Sequence, residues 1–204
     1  MATISNVVHL SPPPLAQPES RPQLKGPMRV ASRVLANVLL VSAALFALAV
    51  LGVLVAMVFY RGDGLQIGAT GMWLGTGQGP PGYQAFGSLP LHHRLIYVLV
   101  GLVRYTPALL ILLNLSALFR LYAQGSVFGR SNAMHLRAVG LWLVVDAVLP
   151  FVVHLLLSAT GYEIDRNWMH IASLQKLFAG AMLFVIAEVM KVGSEIEEER
   201  SQFV

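Results

Sequence analysis

Four long apolar runs dominate the chain: Val34–Tyr60, Leu95–Leu118, Val139–Thr160 and Ile171–Met190. Each is near the ~20 residues that a helix needs to cross ~30 Å of hydrocarbon. The first run contains no charged residue, and the other three contain only Arg104, Asp146, Lys176 and Glu188. This pattern predicts an all-α protein, an integral membrane bundle of four transmembrane helices occupying residues 29–204. Four spans leave room for one bundle and no separate soluble domain. Residues 1–28 hold six of the 11 prolines, which prevent a helix, and little apolar surface to bury. They are expected to form a disordered tail.

Charge gives the pattern a direction. Nine of the 14 lysines and arginines lie in the N-terminal tail, the central connection and the C-terminal tail: Arg21, Lys25, Arg29, Arg33, Arg120, Arg130, Arg137, Lys191 and Arg200. Only Arg61, Arg94 and Arg166 lie in the other two connections. By the positive-inside rule this asymmetry places both termini and the central connection in the cytoplasm. The net charge of +4 follows from it. No aromatic-basic interleaving or groove-reading motif accompanies that charge, so no direct contact with nucleic acid is expected, and the lipid bilayer is the first partner.

The connection 61–93 is rich in glycine and also carries Pro80, Pro81 and Pro90. It has no G-x-x-x-x-G-K-[ST] phosphate loop and no strand is evident leading into it. It is expected to be a flexible outer loop, with Trp73, Tyr83 and Phe86 as anchors at the headgroups. In the central connection Gly125 allows a positive φ where the second helix stops, and Ser131 or Asn132 suits the N-cap of the third.

Candidate chemistry is sparse. Asp146 is the deepest acid, and an ionisable group inside a span costs about 2.5–3.5 kcal/mol on insertion scales, so it calls for a partner. Arg104, Lys176 and Asn114 are the candidates. His154 shares a helical stripe with Asp146 and Pro150. Pro150 cannot donate to the carbonyl of Asp146, which leaves an acceptor beside the carboxylate. A polar clasp, a proton or ion relay and a protonated, locally bonded carboxyl all remain open for this cluster. His92, His93, His154 and His170 fall toward the outer side without dense ligand spacing, and the chain has no cysteine. No metal, cofactor or catalytic set is expected.

Three pieces of sequence carry a resemblance. They are Leu118-Phe-Arg-Leu-Tyr-Ala-Gln-Gly-Ser-Val-Phe128, Asn132 with Leu136-Arg137 and Gly140, and Ala187-Glu-Val-Met-Lys-Val-Gly193 with Glu198. Over roughly residues 34–204 the chain resembles the bacterial membrane-protein family known as domain of unknown function 2975. That resemblance implies a four-helix protein, a bacterial inner membrane, no known activity, and frequent gene proximity to a small helix-turn-helix regulator. The Pro-rich tail, the glycine-rich loop and the Ser-Gln-Phe-Val ending depart from its pattern.

Two functions follow as expectations. The first is a non-enzymatic membrane protein that docks or regulates a cytoplasmic partner, with Arg130, Arg137, Phe128 and Asn132 as the docking residues. The second is a small transporter or ion pathway built on Asp146. A second copy of the chain is left open as a further partner.

Overall fold

The computed structural model describes residues 26–68, 71–77, 79–125, 129–160 and 171–202, with side chains at all of these except 71, 160 and 197–202. Most of the expected tail, the turn at 161–167, His170 and Phe128 lie outside the described residues. Four helices account for most of the rest: α1 (Gly26–Phe59), α2 (Leu91–Ala123), α3 (Arg130–Thr160) and α4 (Ile171–Gln202). All four are long and apolar enough to cross a membrane. Each extends beyond its apolar run at the end that carries the chain termini. Pro27 sits in the first turn of α1, where its missing N–H costs nothing.

The helices pack as sequence neighbours, α1 on α2, α2 on α3 and α3 on α4. The first pair is antiparallel: Ala36 meets Ser116, Phe46 meets Tyr105 and Leu54 meets Gly101. The last is antiparallel too, with Gly140 against Gly180 and Asp146 against Lys176. Both ends of the four-helix unit therefore lie on one side. Apolar side chains cover its outside; Leu48 in mid-α1 is 65% exposed. In water such a surface would be unstable, and in lipid it costs nothing.

Because lipid tails are as apolar as leucine, burial alone does not hold the helices together, and close contact and polar bonds must. Each neighbouring pair carries a polar bond within the spans. Ser116 Oγ donates to the Ala36 carbonyl at 2.9 Å between α2 and α1. Asn114 Oδ1 lies 3.1 Å from His135 Nδ1 between α2 and α3. Lys176 Nζ lies 2.5 Å from Asp146 Oδ2 between α4 and α3. α3 and α4 approach each other closely where Gly140 meets Gly180. A Cβ on Gly180 would stand 2.7 Å from the Gly140 carbonyl oxygen, and one on Gly140 would stand 2.9 Å from that of Gly180.

The connection 61–93 is not the unstructured loop expected from its composition. It holds β1 (Leu65–Gly68), β2 (Gly71–Leu74), β3 (Gln84–Ala85) and a 3-10 turn at Phe86–Ser88. The strands form an antiparallel sheet in the order β2-β1-β3. Leu65 and Ile67 on one face of β1 join Leu54, Met57, Phe86, Leu89 and Tyr97 in a core seated on the ends of α1 and α2 opposite the chain termini. On the other face the Gln66 side-chain amide ties the loop down: its Nε2 donates to the carbonyls of Asp63 and Gly77, and its Oε1 accepts from the Gly79 N–H at 2.9 Å. Both faces of this four-residue strand are thus covered. The expected aromatic anchors also change role. Phe86 is fully buried against Tyr97, Tyr83 packs on Gly68, and Trp73 lies over Gly75.

Candidate functional site in the spans and at the basic rim

The turn between α2 and α3 fixes the basic rim. Gly125 takes φ +90°, as its sequence context predicts, and its N–H bonds to the Tyr122 carbonyl at 3.0 Å. The carbonyl of Gly129, not a side chain of Ser131 or Asn132, receives the first bonds of α3, from the N–H groups of Asn132 and Ala133. Asn132 is inside the first turn and fully buried. It therefore supports the turn and offers nothing to a docked partner, which corrects its assignment to the docking set. Arg120 and Arg130 flank the turn, and both are exposed. Neither guanidinium makes a hydrogen bond or ion pair with a described residue. Arg137 is also exposed and lies over the Phe184 ring, 5.8 Å from its centre. Lys191 on α4 differs, with Glu188 at 3.6 Å and Glu195 at 3.9 Å.

The polar level in the spans follows from helix geometry. Arg104 is sixteen residues from Arg120, and Asp146 is sixteen from Arg130, so each lies about 24 Å from the rim at 1.5 Å per residue. Lys176 lies about 22 Å from Lys191 on the same basis. One level across α2, α3 and α4 thus holds two cations and one acid. The Asp146 side chain is 15% exposed and Lys176 is 43% exposed. The pair is half open on the Lys176 side, whose long stem can carry its ammonium along the surface. Arg104 is half-buried and has no hydrogen bond or ion pair with a described residue.

The expected cluster is thus only partly assembled. Lys176 is the partner of Asp146. Asn114 is not: its Nδ2 donates to the Leu110 carbonyl at 2.8 Å, so its Oδ1 accepts from His135. That contact lies about 15 Å nearer the rim than Arg104. His154 is half-buried two turns beyond Asp146, about 12 Å away along α3. Pro107 and Pro150 both lie inside their helices, so the carbonyls of Val103 and Asp146 lose their helical donors at this level. Among the described residues no group of three or more acids and histidines could hold a metal ion.

Sequence reasoning missed Arg94. It is buried at the start of α2, where Nε donates to the Leu89 carbonyl at 2.8 Å, Nη1 to Val58 at 3.3 Å, and Nη2 to Gly87. It fastens the 3-10 turn that follows β3 to both helices, and places a cation at the C-terminal end of α1, where the helix dipole favours it. An arginine at a span end reads as an interface residue, and nothing local distinguishes a clamp from it. His135 and Gly180 were missed for the same reason, since their roles depend on the facing helix.

Fold and site together define an integral membrane protein of four spans, with an ion pair inside them and arginines at one rim. Residues 83–202 match the family described as "Protein of unknown function (DUF2975)". The chain belongs to that family. The match begins at Tyr83 and so takes in α2, α3 and α4 but not α1 or β1 and β2, a shorter extent than the motifs suggested. No curated protein and no solved structure matches the chain.

Proposed function

We propose that the protein is a non-enzymatic, multi-pass protein of the bacterial inner membrane that docks an acidic segment of a cytoplasmic partner at its basic rim. The observation that carries this reading is the pair of exposed arginines, Arg120 and Arg130, without partners among the described residues, beside a lysine that has two. Holding like charges on either side of a tight turn is unfavourable unless something anionic approaches them. The arginine asymmetry supports a cytoplasmic rim and cytoplasmic termini. The regulator implied by the family resemblance is the first candidate partner, and lipid phosphates compete for the same guanidinium groups.

The test is purification of the full chain from native membranes, wild type against Arg120→Glu with Arg130→Glu. Loss of a co-purifying protein from the double variant, with unchanged melting in detergent, supports docking. Retention of that protein, or its absence from the wild type, refutes it. A second reading, an ion or proton pathway, rests on one observation: the Asp146–Lys176 pair and the two proline-freed carbonyls share a level within the spans. Ionisable residues in spans often mark such paths. Proton flux in liposomes that is lost in Asp146→Asn would favour it.

A further inference from the structure

The small sheet has one strand with no visible support. In an antiparallel ladder, residues directly opposite each other point to the same face. Leu74 pairs with Leu65, and Met72 pairs with Ile67. Leu74 and Met72 therefore face the same way as the residues that seat the sheet on the ends of α1 and α2. Yet Leu74 is 63% exposed and Met72 is 37% exposed. The strand β2 is an edge, and it overhangs the helix ends with its apolar side chains turned toward the plane that the helices cross.

The level of that overhang is fixed by its neighbours. The Gly75 N–H bonds to the Gly64 carbonyl at 3.1 Å, tying the end of β2 to the segment that leaves α1. The Tyr60 ring lies so close to Gly62 and Gly64 that a Cβ on either would meet its hydroxyl at 2.5 or 2.9 Å. Leu74 is thus beside an aromatic residue at the end of a span, where tyrosine marks the boundary of headgroups and acyl chains. Phe59, 74% exposed on the last turn of α1, continues the same apolar surface. On the opposite face Gln66 holds Gly77 and Gly79.

We propose that β2 is a membrane-surface anchor that lays Leu74 and Met72 into the outer lipid leaflet beside α1. Lipid is favoured over a second copy of the chain because Leu74 and Met72 share the face of Leu65 and Ile67, which is seated on the ends of two helices with lipid-exposed surfaces. A partner strand would pair in the plane of the sheet.

The chain has no cysteine, so single nitroxide labels can be placed without other changes. Leu74→Cys, Met72→Cys, Pro81→Cys and Leu48→Cys would be labelled in the full chain, reconstituted in phosphatidylglycerol–phosphatidylethanolamine vesicles. All four positions are exposed, so folding is little disturbed. Relaxation by oxygen should exceed that by an aqueous nickel chelate at 72 and 74, as at 48 in the span, with the order reversed at 81. A label at 74 as open to nickel as that at 81 overturns the proposal. So does a label at 74 shielded from both agents whose spin–spin broadening vanishes on dilution with unlabelled chain, since a second copy would then cover β2.

Discussion

Removing the charge of Asp146 while keeping that of Lys176 gives the sharpest test of the ion pair. Asp146→Leu leaves an ammonium about 22 Å from the rim with its described partner gone. Full retention of a charge at mid-span costs about 2.5–3.5 kcal/mol on insertion scales. Lys176 is already 43% exposed and can move its ammonium along the helix surface, so the expected loss is smaller, about 1–2 kcal/mol. Asp146→Asn keeps an acceptor for Lys176 and should cost about 0.6 kcal/mol, the average for polar contacts between membrane helices. Combining Asp146→Leu with Lys176→Met removes both charges and should recover most of the loss, leaving the pair coupled by about 1 kcal/mol. The assay is reversible unfolding in mixed micelles for five proteins, the wild type, Asp146→Leu, Lys176→Met, their combination and Asp146→Asn, with proton flux measured in liposomes for the wild type and Asp146→Asn. Additive single changes would refute a stabilising clasp between α3 and α4. Wild-type flux abolished in a normally stable Asp146→Asn protein would move the assignment from clasp to pathway.

Two further perturbations address the parts that position this site. In Gly180→Ala the new methyl stands 2.7 Å from the Gly140 carbonyl, so α3 and α4 must part by roughly 0.7 Å to reach the 3.4 Å of ordinary contact; unfolding should show a loss of about 1–3 kcal/mol, and an unchanged midpoint would reject the close crossing. Arg94→Met removes charge-assisted bonds to three carbonyls and should cost about 3 kcal/mol, read as faster proteolysis within 61–90 of the reconstituted protein, with Arg94→Lys giving little rescue because one ammonium cannot reach all three. Proteolysis of that segment at the wild-type rate would remove Arg94 from the anchoring of the sheet.

Much of the architecture was legible because lipid imposes a one-dimensional rule. A span must be apolar for about 20 residues, and that is a property of the sequence alone. Val34–Tyr60 thus announces α1 without reference to anything it touches. Gly125 was equally legible, since a helix that must stop and reverse needs a positive φ whatever lies around it. The choice of Lys176 over Arg104 and Asn114 as the partner of Asp146 was not. All three lie within spans, and only the packing of α4 on α3, set by Gly140 and Gly180, brings one within 2.5 Å.

The sheet shows the same division from the other side. Its strands are two to four residues long and punctuated by glycine, too short for hydrophobic alternation to separate them from a loop. What makes them strands is the core under Leu65 and Ile67, the amide of Gln66 above, and the guanidinium of Arg94. Those partners are contributed by α1, by Gly77 and Gly79, and by α2. By itself the sequence determined that the chain makes four spans, where its central turn reverses, and that it carries a basic rim, because solvation and backbone geometry act residue by residue. Tertiary structure alone decided which cation meets Asp146, that Asn132 is buried, and that the outer connection folds, because each depends on a surface supplied by another element.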